Sequence, residues 1–433
     1  MTWRIRSIPE TCTRETEGYG KDNGMNILIT GAQFANKGAQ SMLFTVISKV
    51  RDRYPDAEFY YLPLDYFRKG CFDRCGEYRM HFVYDDLIMN DYPTRYGVIG
   101  KLKRRKDMNS AAEAMRGKNV LFLSEIWDRL DALIDISGYS LTSKFGISSI
   151  NRIVRHINKA KSMGMSVIFM PQSYGPLNFG ENTENVCRTI REALCKVDLL
   201  FAREKQGIDV LVNECGVKNA VLSPDTVLQA REIKTEHIFT GEHEVSVQRL
   251  DTAGAVGIIP NTETLKNGDR AFVLDCYRQI IGTLREKGRE VFIFRHSEDL
   301  QLCRDIYALV SEDEHCHLIE DELDCLAYGE FVKQFDFVVA SRFHSVVHAY
   351  KEGIPALVLG WAVKYQELTA LFAQGDYAFD ITKAESCDLE KMKDRLCSLC
   401  DNHARESQVI KDKLEDILRE SCFDKCWEVL DKI

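Results

Sequence analysis

From Met25 onward the chain alternates short runs of β-branched and other apolar residues with longer stretches whose apolar positions recur at helical spacing. Short apolar runs bounded by Gly, Asn or Ser fit buried strands, and the longer amphipathic stretches fit helices laid across them. The pattern predicts strands near residues 26–30, 58–62, 119–123, 132–136, 166–170, 199–202 and 220–222. Such alternation implies an α/β fold with a parallel sheet covered on both faces. Between residues 231 and 249 the period dissolves into polar residues, as expected of a linker or peripheral excursion. The rhythm then restarts, with strands expected near 256–259, 291–294, 335–340 and 356–359 and helices near 272–287, 300–310, 325–333 and 343–351. Two Rossmann-like domains facing a cleft, a GT-B-like architecture, are therefore expected. The predicted organisation is a loose leader (1–24), a first domain (25–232), a linker (233–252), a second domain (253–386) and C-terminal helices (387–433) that could cross back onto the first domain.

A length of 433 residues with 45% hydrophobic content is more than one core usually serves, in keeping with two domains. The net charge of −9 gives no basic footprint for nucleic acid or an anionic membrane, so an anionic ligand must be held by a few local cations. The leader mixes charges of both signs without an apolar centre and does not read as a signal peptide, and Met25 is an alternative start. No apolar run approaches the roughly 18 residues of a spanning helix. A soluble, cytoplasmic protein with no transmembrane segment is expected. Fifteen cysteines in a chain of this kind are expected to stay reduced. Cys397 with Cys400, and Cys422 with Cys426, have spacings that zinc could use, but they lie in stretches, 389–400 and 409–430, that read as amphipathic helices. There Cys behaves as a small buried apolar residue, and no metal site is expected.

Open α/β sheets collect ligands at the carboxyl ends of their strands, so the loops that follow them hold the candidate chemistry. After the first strand, Gly31 and Gly38 permit unusual backbone angles, and the helix start beyond Asn36 offers free N–H groups. The Gly spacing is not a dinucleotide fingerprint. Gln172 and Ser173 stand at the tip of a Pro- and Gly-framed turn, able to hydrogen-bond a ligand. Arg203 ends a strand with a planar fork suited to carboxylate or phosphate, and Asp225 either caps a helix or accepts a proton. The densest group is Ser341-Arg342-Phe343-His344, after one apolar strand, with Lys364 following the next. Arg, His and Lys are thus expected to converge at adjacent strand ends.

Taken in order, Asn36-Lys37-Gly38, Asp135-Ile136-Ser137-Gly138, Pro171-Gln172-Ser173-Tyr174-Gly175-Pro176, Arg203-Glu204 with Pro224-Asp225, and Ser341-Arg342-Phe343-His344 resemble the polysaccharide pyruvyl transferase family. Gly353-Ile354-Pro355 through Lys364 fits the same pattern, and the resemblance spans about Met25 to Phe372. Departures are Ala39 and Gln40 where many members carry an acidic pair, Ser137 before Gly138 where Gly-Gly is frequent, and Phe343 in place of Leu. The resemblance implies transfer of a pyruvyl group from phosphoenolpyruvate to two hydroxyls of one sugar as a ketal, in surface polysaccharide biosynthesis. It implies no cofactor beyond phosphoenolpyruvate as donor substrate, and a saccharide acceptor, free or carried on a lipid or nucleotide. A lipid carrier would place the protein peripherally at the inner face of the membrane.

By the same resemblance Arg203, His344 and Lys364 are the catalytic positions and bind the donor with Arg342. His344 is the candidate proton donor because imidazole titrates near neutrality. Asn36, Gly38, Ser137, Gly138, Gln172, Ser173 and Asp225 are left for the acceptor or its loops. Two alternatives share the architecture: a glycosyltransferase using a nucleotide sugar, with Glu367 as its one candidate ribose acid, and a non-catalytic sugar-binding relative. Oligomeric state is not legible in the residues.

Overall fold

The computed structural model describes residues 24–433 except 66–69, most of 87–111, and 251. Nearly all of the expected leader lies outside the described residues. The chain forms two parallel sheets. The first contains β1 (Asn26–Thr30), β2 (Glu58–Leu62), β3 (His81–Tyr84), β4 (Val120–Phe122), β5 (Ala132–Asp135), β6 (Ser166–Gln172), β7 (Leu199–Ala202) and β8 (Ala220–Leu222). Its spatial order is β4-β3-β2-β1-β5-β6-β7-β8. The second contains β9 (Ala255–Ile259), β10 (Glu290–Phe294), β11 (Cys316–Ile319), β12 (Phe337–Ala340), β13 (Ala356–Leu359) and β14 (Ala378–Phe379), in the order β11-β10-β9-β12-β13-β14.

Both orders reverse once, between β1 and β5 in the first sheet and between β9 and β12 in the second. At such a reversal the connections on either side leave in opposite directions, opening a crevice beyond the strand ends. The loops bordering these crevices begin at Gly31, Ile136, Pro260 and Ser341. Register brings their chemistry level: Thr30 pairs with Asp135, and Ala340 pairs with Ile259 on one side and Val358 on the other.

The helix Lys37–Arg53 buries fourteen of its seventeen residues, too many for a helix with a solvent face. It lies between the halves, packing on the helices Cys325–Val332 and Phe343–Lys351. One apolar cluster runs without a break from Ile27, Leu43 and Phe44 to Tyr328, Val346 and Tyr350. Each fully buried Leu or Phe there contributes about 1.5–3 kcal/mol, so the two halves share a core along this helix.

At the C-terminus the two expected helical stretches are one continuous helix, Leu389–Arg419, and the break comes later. No helix breaker interrupts residues 401–408, whereas the Ser421 hydroxyl oxygen accepts from the Phe423 amide at 3.3 Å and starts a new helix, Cys422–Leu430. The long helix lies on Arg270–Glu286 of the second half, and the short one crosses back onto β6 and β7. Cys422 and Cys426 face that interface, the Cys426 thiol 3.8 Å from the Met170 sulfur. Among the described residues, no helix is long and apolar enough to cross a membrane.

Candidate active site

On the first half, a buried carboxylate organises the β1/β5 reversal. Asp135 accepts hydrogen bonds from the Thr30 hydroxyl at 2.8 Å, the Ser137 amide at 3.1 Å and hydroxyl at 3.0 Å, and the Gln172 amide nitrogen at 3.2 Å. Ser137 and Gln172 are therefore committed to this network, with Ser140 donating to the far oxygen of Gln172 at 3.2 Å. Gly31 has φ +95°, and a Cβ there would sit 2.4 Å from the Ser137 hydroxyl, so the turn requires glycine twice over.

Arg203 leaves the end of β7 and is held on three sides. Its Nε donates to the Ser173 hydroxyl at 2.9 Å and to Glu204 Oε1 at 2.8 Å, and one terminal nitrogen donates to Asp225 Oδ2 at 2.8 Å. Ser173 donates in turn to Glu204 at 2.7 Å. Burial opposes the charge on Arg203, but Glu204 and Asp225 more than offset it and the guanidinium stays cationic. Asp225 also caps the turn Thr226–Gln229 through the Val227 amide at 3.0 Å. Burial pushes its carboxyl up, yet His344, Arg203 and that amide together hold it well below the usual carboxylate range.

The second half supplies the loop after β12. Ser341 ends the strand under the hydroxyls of Tyr277 and Tyr365, and the helix Phe343–Lys351 carries His344 in its first turn. Arg342 is engaged by Asp299, through Nε and at 2.8 Å through a terminal nitrogen. This bidentate pair takes much of the fork that sequence reading assigned to the donor.

Three contacts join the halves around His344. The first is Gly38, whose ordinary helical backbone does not call for glycine: a Cβ there would lie 2.2 Å from the imidazole Cγ and 2.3 Å from Nδ1. The sequence reading attributed this glycine to backbone freedom, whereas its reason is the imidazole lying flat against it. The second is Asp225, whose Oδ2 is 3.5 Å from His344 Nε2, a nitrogen that is buried and lacks a well-formed hydrogen bond. The third is Phe343, whose ring carries the Arg203 guanidinium at 4.1 Å on one approach and the Lys364 ammonium at 5.4 Å on another.

Arg203, His344 and Lys364, assigned from separate motifs, thus occupy one cleft. Burial pushes His344 below its ordinary value, Asp225 pulls it back, and Arg203 and Lys364 push it further down. Lys364 is lowered to about 8, first by burial and then by Arg203, with Glu204 opposing. Among the described residues no carboxylate reaches Lys364 at ion-pair distance, and Tyr139 and Tyr365 lie 5.4 and 5.6 Å from its ammonium.

The remaining assigned residues are mostly internal. Asn36 caps the helix Lys37–Arg53 through the Gly38 and Ala39 amides at 3.0 and 3.4 Å. Gly138 has φ +62°, and a Cβ there would lie 2.9 Å from the Met42 methyl carbon and 3.9 Å from a terminal nitrogen of Arg203. Gln40 reaches across the halves, its side-chain oxygen accepting from the Cys325 amide at 3.0 Å. Glu367 accepts the Lys205 and Gln206 amides at 2.6 and 3.1 Å, so its carboxylate is already engaged across the cleft. Sequence reading missed Asp299, and it quoted Glu204 and Lys37 within motifs without assigning either a role. The polar run His296-Ser297-Glu298-Asp299 directly after β10 was the available signal for the first.

A family model for polysaccharide pyruvyl transferase matches residues 36–362, most of the chain, and takes in Arg203, Asp225, Arg342 and His344 but not Lys364. The chain belongs to this family. Three solved proteins of low identity are similar to this polysaccharide pyruvyl transferase family member. A provisionally named UDP-N-acetylglucosamine 2-epimerase from Listeria monocytogenes is 14% identical, with 89% of this chain and 91% of that chain covered and a TM-score of 0.52. The UDP-GlcNAc 2-epimerase of Neisseria meningitidis is 10% identical over 92% and 98% of the two chains at a TM-score of 0.48, and spinosyn rhamnosyltransferase SpnG is 10% identical over 91% and 95% at 0.49. At such identities the Listeria likeness shows the fold alone, two parallel-sheet α/β domains of GT-B type. No curated protein matches the pyruvyl transferase chain by sequence.

Proposed function

We propose that this family member transfers the pyruvyl group of phosphoenolpyruvate to two hydroxyls of one saccharide unit, forming a cyclic ketal and releasing phosphate. The observation that carries the reading is the shared seat of Arg203 and Lys364 on the Phe343 ring beside His344. Two cations from opposite halves, one of them without a carboxylate partner among the described residues, suit a small ligand of high negative charge in a protein of net charge −9.

His344 is the proton donor in this reading. Burial holds its imidazole below the ordinary value, so it is neutral near pH 7. A bound dianion favours the charged form and loads the proton. His344 gives that proton to the methylene carbon, C3, which becomes the methyl group, and positive character develops at C2. The first hydroxyl oxygen bonds to C2 and loses its proton to a base, for which the newly neutral His344 beside Asp225 is placed. The C2–O bond to phosphate then breaks, phosphate leaving with the electron pair, and the second hydroxyl closes the ketal. Of the two hydroxyl protons, one replaces that spent on the methyl group and one leaves with phosphate. Arg203 and Lys364 offset charge on the carboxylate and the departing oxygen throughout.

The acceptor is read as a saccharide, free or on a lipid or nucleotide carrier, with action in the cytoplasm or at the inner membrane face. The test is phosphate release from phosphoenolpyruvate on addition of a panel of lipid- and nucleotide-linked sugars, with mass spectrometry for the added ketal, and calorimetric titration of the donor in buffers of different ionisation enthalpy. Uptake of a proton on donor binding and ketal formation are expected. Absence of donor binding at millimolar concentration, or hydrolysis of a nucleotide sugar in its place, would overturn the reading.

A further inference from the structure

Lys37 immediately precedes the glycine that touches His344. Its side chain is buried, with 3% of the residue exposed, and among the described residues no carboxylate lies at ion-pair distance. Burial, tempered by Glu322 and reinforced by Arg295 and Arg342, lowers its ammonium to about 8. Beyond it, just after β10, two polar atoms are buried and, among the described residues, without partners: Arg295 Nε and His296 Nε2. Arg295 uses one terminal nitrogen on the Glu320 carbonyl at 3.3 Å and on the mostly exposed Glu322 carboxylate at 3.5 Å. His296 is 1% exposed and has Nδ1 3.0 Å from the Ser297 hydroxyl, so a donating Ser297 leaves the proton on Nε2.

Each buried polar atom left without a partner costs about 1–3 kcal/mol, and a buried ammonium without a carboxylate costs more. Two such atoms and an unpaired cation from three separate residues form a donor set with no acceptor of its own, as expected where a ligand supplies the acceptors. Arg342, already satisfied by Asp299, adds to the positive field without needing a partner. With Ser297 donating to His296 Nδ1, every member is a donor, and the ligand complementary to it is a compact oxyanion.

Sheet order places this cluster relative to His344. Lys364 follows β13 and Arg295 follows β10, and the two strands flank the β9–β12 pair from whose end His344 projects. Strands spaced about 4.8 Å apart put the ends of β10 and β13 roughly 14 Å from each other, with His344 projecting from between them. We propose that Lys37, Arg295 Nε and His296 Nε2 form a phosphoryl pocket separate from the Arg203–Lys364 seat, so that the donor lies past His344 with phosphate toward β10 and carboxylate toward Lys364. The pocket itself is argued from its own donors; naming the donor as its occupant rests on the pyruvyl-transfer reading.

The experiment titrates the full-length protein with orthophosphate and with phosphoenolpyruvate, following binding by calorimetry and by 31P line broadening. In the wild type both bind. Lys37→Met is expected to weaken orthophosphate at least tenfold, the scale of one charge-assisted contact, while the unliganded variant melts at or above the wild-type temperature because a buried unpaired ammonium is gone. Arg295→Gln, which retains hydrogen-bonding capacity toward Glu320, gives the same loss and serves if Lys37→Met misfolds. Orthophosphate bound at wild-type affinity by both variants overturns the pocket. Lys37-dependent orthophosphate binding without any phosphoenolpyruvate binding keeps the pocket and defeats the donor reading. Loss of orthophosphate with unchanged phosphoenolpyruvate affinity overturns the donor orientation and assigns the pocket to a phosphate on the acceptor's carrier.

Discussion

Replacing Gly38 by alanine would test whether the first half positions His344. The added methyl carbon would meet the imidazole at 2.2 Å from Cγ and 2.6 Å from Cβ, against an ordinary carbon–carbon separation of about 3.5–4.0 Å. More than an ångström must be recovered. The helix start cannot supply it cheaply, since Asn36 holds the Gly38 and Ala39 amides and the rest of that turn is buried. The imidazole must therefore tilt away, and with it the 3.5 Å approach of Nε2 to Asp225. Overpacking of this kind costs about 1–3 kcal/mol, a shift of a few degrees or less in melting temperature for a chain of this size. A displacement of about 1 Å at a reacting group can cost about 10²-fold in rate. The expected result is a folded protein with donor affinity within a few-fold of wild type and kcat reduced about 10²-fold. The decisive assay adds Gly38→Ala to a His344→Gln background. If both act through one imidazole, the second change costs nearly nothing once the first is made. Full additivity in the double variant, or wild-type turnover in Gly38→Ala, would refute the claim that this contact sets the imidazole.

Removal of the proton donor by His344→Gln should lower kcat and kcat/KM together by about 10²–10⁴-fold with donor binding largely kept, as steady-state kinetics and titration will show. Arg203→Lys keeps the charge but cannot hold Ser173, Glu204 and Asp225 at once, so donor affinity and thermal stability should both fall, and wild-type values for both would remove Arg203 from the site. Lys37 and Lys364 carry folded-state values of about 8, below the ordinary lysine value of about 10.4. The unfolded chain then binds more protons between about pH 8 and 10.4, and stability of the unliganded protein should rise with pH across that window. Melting temperatures measured against pH should show a shallower rise in Lys364→Met than in wild type, and donor affinity in the wild type should decline over the same window as the ammonium groups discharge.

Strands buried on both faces leave a strong sequence signal, and most of those in the middle of each sheet were legible with errors of a residue or two. The omissions are edge or near-edge strands: β3, with His81 half exposed, β11, with His317 on it, and the two-residue β14. Their mixed polarity does not stand out from loops. In the cleft, Arg203, His344 and Lys364 were legible because each stands directly after a strand or in the next helical turn. Their partners were not. Asp299 meets Arg342 from 43 residues away and Gly38 meets His344 only because two sheets oppose each other. Such relations are properties of tertiary packing that no spacing within either segment encodes. The same limit explains Ser137, Gln172 and Ser173, which have the chemistry to touch a ligand and are instead bound to Asp135 and Glu204.

The return of the last helix has a mechanical consequence. The backbone passes between the halves twice, once through residues 230–254 and again at Glu420–Ser421, after which Cys422 donates its amide to Gln229 at 3.1 Å and Gln229 holds the Pro224 carbonyl at 3.0 Å. A body tethered at one point can swivel in every direction, whereas one tethered at two turns only about the line through them, like a door. The second tether also sits directly on the segment that presents Asp225, so residues some two hundred positions further along the chain help to fix that carboxylate.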